Sequence, residues 1–351
     1  MRILKELKSK NIACGYLYFY VHFITEIACF YFLSKVTNGS NFIWLIPFIY
    51  DGLAFVPQGL VGYINDLKPK INTGLIGVIL LFLAYILYLI NFNVLITLVI
   101  LCMGNVFLHI SGAENTLRVS EGKLSHSAIF VGGGSFGVIT GKLLALYNIS
   151  PILIALLVLT IIPFVLLANT YRDYKEKETK FDYANSKISP YMIIILAVLV
   201  VVIRGYMGYG IPTSWNKTTV QTVMLFVTMG IGKCLGGILS DAYGIRKVGI
   251  LSTLVAIPFL CFGNDLMLVS LIGVMLFSMT MSITLALIAS VYKSRPGLAF
   301  GFTTIGLFLG TAPIFFINIP SKIINIVMII VMSIVCSFIL AKIIKKENVT
   351  W

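Results

Sequence analysis

The sequence predicts an all-α integral membrane protein of twelve transmembrane helices, arranged as two pseudo-symmetric bundles of six. Three observations carry that prediction. The 351 residues are 59% hydrophobic and 11% charged, with a mean hydropathy of +1.00, whereas soluble chains average about 45–50% apolar and about 25% charged residues. The apolar residues fall in long unbroken runs, which excludes barrel strands, because those alternate with period two. Several spacings in the first half of the chain recur in the second at an offset near 175 residues.

Twelve spans of roughly 20 residues occupy about 240 positions. The remainder allows only short loops and no soluble catalytic domain. The first span, about 11–34, follows the basic stretch MRILKELKSK, which lacks a small-residue cleavage site and reads as a cytoplasmic tail. Further spans fall at about 41–64, 71–91, 93–113, 126–147 and 150–171, completing a bundle over residues 1–171. Residues 172–187 mix both charge signs and read as a solvated, partly helical cytoplasmic linker. A second bundle over residues 188–351 holds spans at about 188–209, 218–240, 247–263, 266–291, 297–318 and 321–344.

Placing both termini in the cytoplasm puts twenty of the 26 Lys and Arg residues on that side. The other six are Lys35, Lys217 and Lys322 on the far side, with Lys142, Arg204 and Lys233 inside spans. The net charge of +13 therefore reports topology and not nucleic-acid binding. Six scattered cysteines form no CxxC pair and imply no disulfide framework. Short loops and the lack of a large external domain point to a bacterial inner membrane, and a monomer is expected there.

The internal repeat is specific. Gly62-x-x-x-Asp66 after the second span recurs as Gly237-x-x-x-Asp241 after the eighth, and Gly133-x-x-x-Gly137 in the fifth recurs as Gly306-x-x-x-Gly310 in the eleventh. The glycines allow close helix packing. Each aspartate ends its own helix, where partial negative charge already accumulates, so a neighbouring helix N-terminus or a cation has to answer it. Lys68, Lys70, Arg246 and Lys247 are near enough in sequence to do so.

The segment Gly237-Ile-Leu-Ser-Asp241-Ala-Tyr-Gly244-Ile-Arg246-Lys247 resembles the motif between helices eight and nine of major facilitator superfamily transporters. The first copy departs from the family pattern, with Pro69 in place of the usual Gly and no Arg after Asp66. The resemblance implies two six-helix bundles, each with 3+3 inverted repeats and a substrate site between them near the midplane. It also implies that Gly62, Asp66, Lys70, Gly237, Asp241, Gly244, Arg246 and Lys247 form a latch that closes the cytoplasmic side in one state. A narrower likeness, to the fosmidomycin-resistance type of efflux protein, rests on Asp51–Gln58, Leu108-His109 with Gly112-Ala-Glu114, Phe130–Gly133, and Arg204 with Ile211-Pro212. The usual His-Pro pair is His109-Ile110 here.

Ionisable residues inside spans cost at least about 2.5–3.5 kcal/mol each at mid-helix, which makes them functional candidates. His22 and Glu26 are four apart, on one face of the first span. Glu26 and Arg204 lie at equivalent depths of spans one and seven and are expected to face each other as a gate pair or around a substrate. Asp51, in the middle of span two, is suited to carrying a proton, as is Glu26. His109 falls near the inner end of span four, and His126 at a helix end reads as solvated. The three histidines show no metal-ligand spacing, so no metal or cofactor is expected. Lys142 and Lys233 are within snorkelling reach of the two surfaces; if they point inward, the cavity gains positive charge and favours an anionic substrate. Gly137-x-x-x-Gly141-Lys142 lacks the length and the Ser or Thr of a phosphate-binding loop.

The reading is a secondary transporter and not an enzyme, exporting a small organic molecule by alternating access with protons as coupling ion. Uptake of a small organic anion and a non-transporting receptor or assembly protein are the rival readings.

Overall fold

The computed structural model describes residues 12–38, 44–171, 178–210, 213–317 and 321–346. The tail over residues 1–10, residues 172–177 of the linker, and Ile211-Pro212 lie outside the described residues. Within them the chain forms twelve helical segments: α1 Ile12–Thr37, α2 Leu45–Leu67, α3 Thr73–Leu89, α4 Val94–Val119, α5 Ser125–Leu146, α6 Pro151–Asn169, α7 Pro190–Gly210, α8 Thr219–Tyr243, α9 Ile245–Phe262, α10 Met267–Val291, α11 Pro296–Phe315 and α12 Lys322–Ile343. Eleven are long and apolar enough to cross a membrane, and α3 is a shorter apolar helix of 17 residues.

Local chemistry sets many of the ends. Asn72, Asn93, Ser150 and Ser321 each accept a backbone N–H of the first turn of their helix. Thr218 and Gln221 form a reciprocal capping box. Proline explains two interruptions. Pro57 and Pro163 lack the N–H that would bond four residues back, and α2 breaks at Val56 while α6 breaks at Thr160. Gly244 ends α8 at φ +94°, a conformation that a side chain would strain.

Helices α1–α6 pack into one bundle and α7–α12 into another, with α5 against α8 and α2 against α11 between them. The pairing is pseudo-symmetric: α1 on α5 matches α7 on α11, and α3 on α4 matches α9 on α10. The repeated glycines explain it. Gly133 and Gly137 bring α5 onto the carbonyls of Phe19 and Phe23 in α1, while Gly306 and Gly310 bring α11 onto Val201 and Val202 in α7. Gly62 meets Gly297 where α2 crosses α11. Apolar residues such as Ile79, Leu95, Ile195, Ile323 and Phe338 stay exposed on the outside, as lipid-facing residues do.

The described part of the linker is partly buried. Residues 178–187 are not helical; they run beside Ile343 and Ile344 at the end of α12. Thr179 N–H donates to the Lys293 carbonyl (2.8 Å), Asn185 N–H to that of Ile343 (2.8 Å), and the Tyr183 hydroxyl to that of Gly122 in the first bundle (2.7 Å). Phe181 is fully buried, because an aromatic side chain gains more from apolar contact than from water. Lys345, aided by Lys293, holds the Asp182 carboxyl below its ordinary range.

Two outcomes test this packing. A Cβ at Gly137 meets Glu26 Cβ at 2.7 Å, so Gly137→Leu overpacks the α1–α5 contact by about 1–3 kcal/mol and lowers the Tm in detergent. An unchanged Tm contradicts the close approach. At the opposite end, Asp265 accepts from Lys322 Nζ (2.5 Å) and Ser214 Oγ (2.7 Å), and the Lys322 bond lowers its pKa. A lowered carboxylate stabilises the fold above the unfolded pKa of about 3.9 and ceases to as the pH falls through its folded value. Asp265 should titrate below that value in the native chain and return towards it in Lys322→Ala.

Candidate functional site

Helices α1 and α4 bring three ionisable side chains together. His22 and Glu26 stand one turn apart on α1, and His109 faces them from α4. His22 Nε2 lies 2.9 Å from His109 Nε2, and Glu26 Oε1 lies 3.7 Å and 3.4 Å from those two nitrogens. Asn105, one turn before His109, places its Nδ2 3.1 Å from Glu26 Oε1 and 3.1 Å from the Tyr50 hydroxyl. Gly134 of α5 makes room for the His22 ring. The rings of Phe130 and Phe300 pack beside the imidazoles. All three ionisable residues are at most 9% exposed.

The other ring nitrogens fix the protonation pattern. His22 Nδ1 is 2.9 Å from the Phe130 carbonyl and His109 Nδ1 is 3.0 Å from that of Asn105. A carbonyl only accepts, so each Nδ1 carries its hydrogen. Neutral imidazole has a single N–H. Each Nε2 then presents a lone pair to the other, and a 2.9 Å approach is attractive only with a proton or another cation between them. The Glu26 carboxylate supplies the compensating charge.

This cluster forms part of the wall of a cavity of about 420 Å³ between the two bundles. Helices α1, α2, α4 and α5 line it from one side and α8, α10 and α11 from the other. Phe30, Phe55, Phe226, Phe300 and Phe315 make it largely aromatic, and Asp51, Lys142 and Lys233 add charge. Lys142, near the end of α5, is exposed, so the cavity reaches solvent-accessible space on that side.

Several expectations need correction. Of the two readings left open for Lys142 and Lys233, the inward one fits the structure: both line the cavity. Lys142 Nζ sits 5.1 Å from the Phe226 ring centre and 5.6 Å from that of Phe30, and Lys233 Nζ donates to Ser135 Oγ at 2.8 Å. Lys142 stays exposed while its Nζ lies over two aromatic rings, and Lys233 is answered by the Ser135 hydroxyl. Glu26 makes its ion pairs with the histidines and not with Arg204; Arg204 lines a smaller adjoining cavity behind Lys233. Helix α4 runs on to Val119, six residues past the expected end, because Glu114 and Arg118 pair one turn apart within it (2.9 Å). His109 is therefore well inside the helix and not near its inner end. His126, in the first turn of α5, is 1% exposed and not solvated, since Gly15 lets α1 pack on its backbone.

The two repeated aspartates tie the bundles together at the end where Ile12 and Ile343 lie. Asp66 accepts from the backbone N–H groups of Gly297 (3.0 Å) and Leu298 (2.8 Å) at the start of α11. Asp241 accepts from Leu124 and Ser125, both at 2.8 Å, at the start of α5. Helix N-termini thus answer the carboxylates, with Arg118 Nη2 3.7 Å from Asp66. Among the described residues, no ion pair involves Lys68, Lys70, Arg246 or Lys247. Backbone donors in a helix's first turn are preorganised, whereas long surface side chains lose entropy on pairing. Arg118 also bonds Glu114, which accepts from Asn65. Sequence reading missed Asn65, Asn105 and Arg118 as partners; for Asn105, its place four residues before His109 in an apolar span was the available signal.

No protein-family profile and no curated protein matches the chain. Among solved structures it is similar to the human organic anion transporter MFSD10 (TETRAN), with a TM-score of 0.64 and 12% identity over 94% of this chain and 98% of that one. It is also similar to FucP, a major facilitator superfamily transporter in the outward conformation, with a TM-score of 0.56 and 16% identity over 90% of this chain and 98% of that one. The chain has the major facilitator fold, and with its apolar spans it is a multi-pass integral membrane protein. The narrower likeness to fosmidomycin-resistance proteins rests on the quoted residues alone.

The latch role expected of these aspartates has a measurable consequence. Asp66→Asn and Asp241→Asn each remove a charged acceptor from a helix N-terminus, an interaction reaching about 2 kcal/mol when partly buried. Each variant should shift the ratio of joined to separated bundle ends by up to about thirtyfold, read as longer distances between spin labels across α2–α11 or α5–α8. Unchanged distance distributions in the double variant would remove the latch role.

Proposed function

We propose that the protein is a secondary transporter that moves a small amphipathic organic anion by alternating access, with protons as the coupling ion. The observation that carries this reading is the cavity between two bundles joined at one end, lined from both sides with aromatic rings and ionisable groups. The aromatic wall suits an apolar body. Lys142 and Lys233 suit an acidic head group, because a cation between the two Nε2 atoms already balances Glu26 and leaves two lysines against Asp51. Asp51 and the His22–Glu26–His109 cluster are the proton-carrying groups of this proposal, and Arg204 lies behind Lys233 to reinforce its positive field. That MFSD10 is an organic anion transporter on the same fold agrees with the substrate class.

Positive-inside counting makes the joined end cytoplasmic, in the inner membrane of a bacterium, so the cavity faces outward in this state. Separation of Asp66 and Asp241 from α11 and α5 then opens the opposite side. Export with protons entering in exchange is the direction that the fosmidomycin-resistance likeness favours. A receptor or scaffold would have little use for Glu26, Asp51, Lys142 and Lys233 around one cavity, given their cost in a bilayer.

Proteoliposomes with a trapped pH-sensitive dye test the proposal against a panel of aromatic carboxylates, phosphonates, amines and neutral compounds. Acidic compounds should drive proton movement, and Asp51→Asn and Glu26→Gln should abolish it. Lys142→Gln and Lys233→Gln should each weaken anion affinity by about tenfold or more, the worth of a charge-assisted hydrogen bond. Proton movement with amines alone overturns the substrate class, and substrate flux without protons overturns the coupling ion.

A further inference from the structure

The geometry that brings His22, Glu26 and His109 together also meets the requirements of a metal centre. One donor atom from each lies within 4.8 Å of the others, at separations of 2.9, 3.4 and 3.7 Å. Donors around a tetrahedral Zn²⁺ at about 2.0–2.1 Å stand roughly 3.3 Å apart, and the three separations straddle that value.

Two further features exceed what a chance cluster offers. Both Nδ1 atoms are tied to backbone carbonyls, the outer-shell contact that fixes a ligating histidine with its Nε2 lone pair forward. Asn105 likewise holds the carboxylate oxygen that faces the imidazoles. The donors are buried yet line the cavity, so a cation has a way in and a coordination position left over.

We propose that His22, Glu26 and His109 bind one divalent first-row transition cation, with the fourth position open to the cavity. Two imidazoles and one carboxylate select Zn²⁺, Co²⁺, Ni²⁺ or Cu²⁺ over Mg²⁺ and Ca²⁺, which prefer all-oxygen shells. Glu26 offsets part of the added charge, while the Ser135 bond anchors Lys233 on the α5 side. An oxygen of water or of an acidic substrate completes the shell. The site does not depend on proton coupling, and its test involves no transport.

Purified protein in detergent, shown monodisperse, is titrated with Co²⁺ and followed by visible absorption and calorimetry. One equivalent should bind with the intense ligand-field bands of tetrahedral coordination, and Zn²⁺ should displace it where Mg²⁺ does not. His109→Gln and Glu26→Gln should lose the bands. Asn105→Ala should weaken binding about 10–100-fold, as outer-shell changes do, and Asp51→Asn should retain the signal even where it abolishes proton coupling. Absence of the bands in folded wild-type protein, or their persistence in His109→Gln, overturns the site.

Discussion

Asp66 and Asp241 each accept two backbone N–H bonds from the first residues of a helix in the opposite bundle, and the arrangement of the molecule depends on that pair of contacts. A helix C-terminus disfavours a carboxylate and a helix N-terminus favours one. Placing the carboxylate at one helix end, against the start of another, turns a local penalty into attraction across the interface. Gly62 and Gly237 make the approach possible, because a side chain at either position would meet Gly297 or Ala128. With the two bundles fixed there, the space between them is left at mid-depth and towards the other end, where the cavity lies.

The chemistry inside that cavity follows from the cost of isolated charge in a bilayer. His22 and His109 use their Nδ1 hydrogens on backbone carbonyls, which leaves both Nε2 lone pairs facing inward beside Glu26. Low local dielectric strengthens each of these contacts and makes an unmatched one expensive. Such a cluster is at rest only with a cation inside it. The proposed proton carriage and the proposed transition-metal binding would each meet that one requirement.

The two bundles were legible from composition, run length and the 175-residue offset, because lipid requires every spanning segment to satisfy its backbone internally. The glycine pairs were legible for the same reason: small residues at fixed spacing have one main use in packed spans. The end of α4 was not legible, since Glu114 and Arg118 look like loop charges until their pairing within the helix is seen. Nor was the partner of Glu26. Equal depth in matching spans suggested Arg204, but depth says nothing about which way a side chain turns around its helix.

By itself the sequence determined a membrane-embedded, twice-repeated helical chain with aspartates at two equivalent helix ends and a few ionisable residues in its spans. Those properties are set by local composition and periodicity. The tertiary structure alone decided that His109 joins His22 and Glu26, that Lys142 and Lys233 turn into the cavity, and that helix N-termini rather than neighbouring lysines hold the aspartates. Contacts between helices far apart in the chain depend on the rotation and crossing of each helix, which packing fixes and a linear pattern does not.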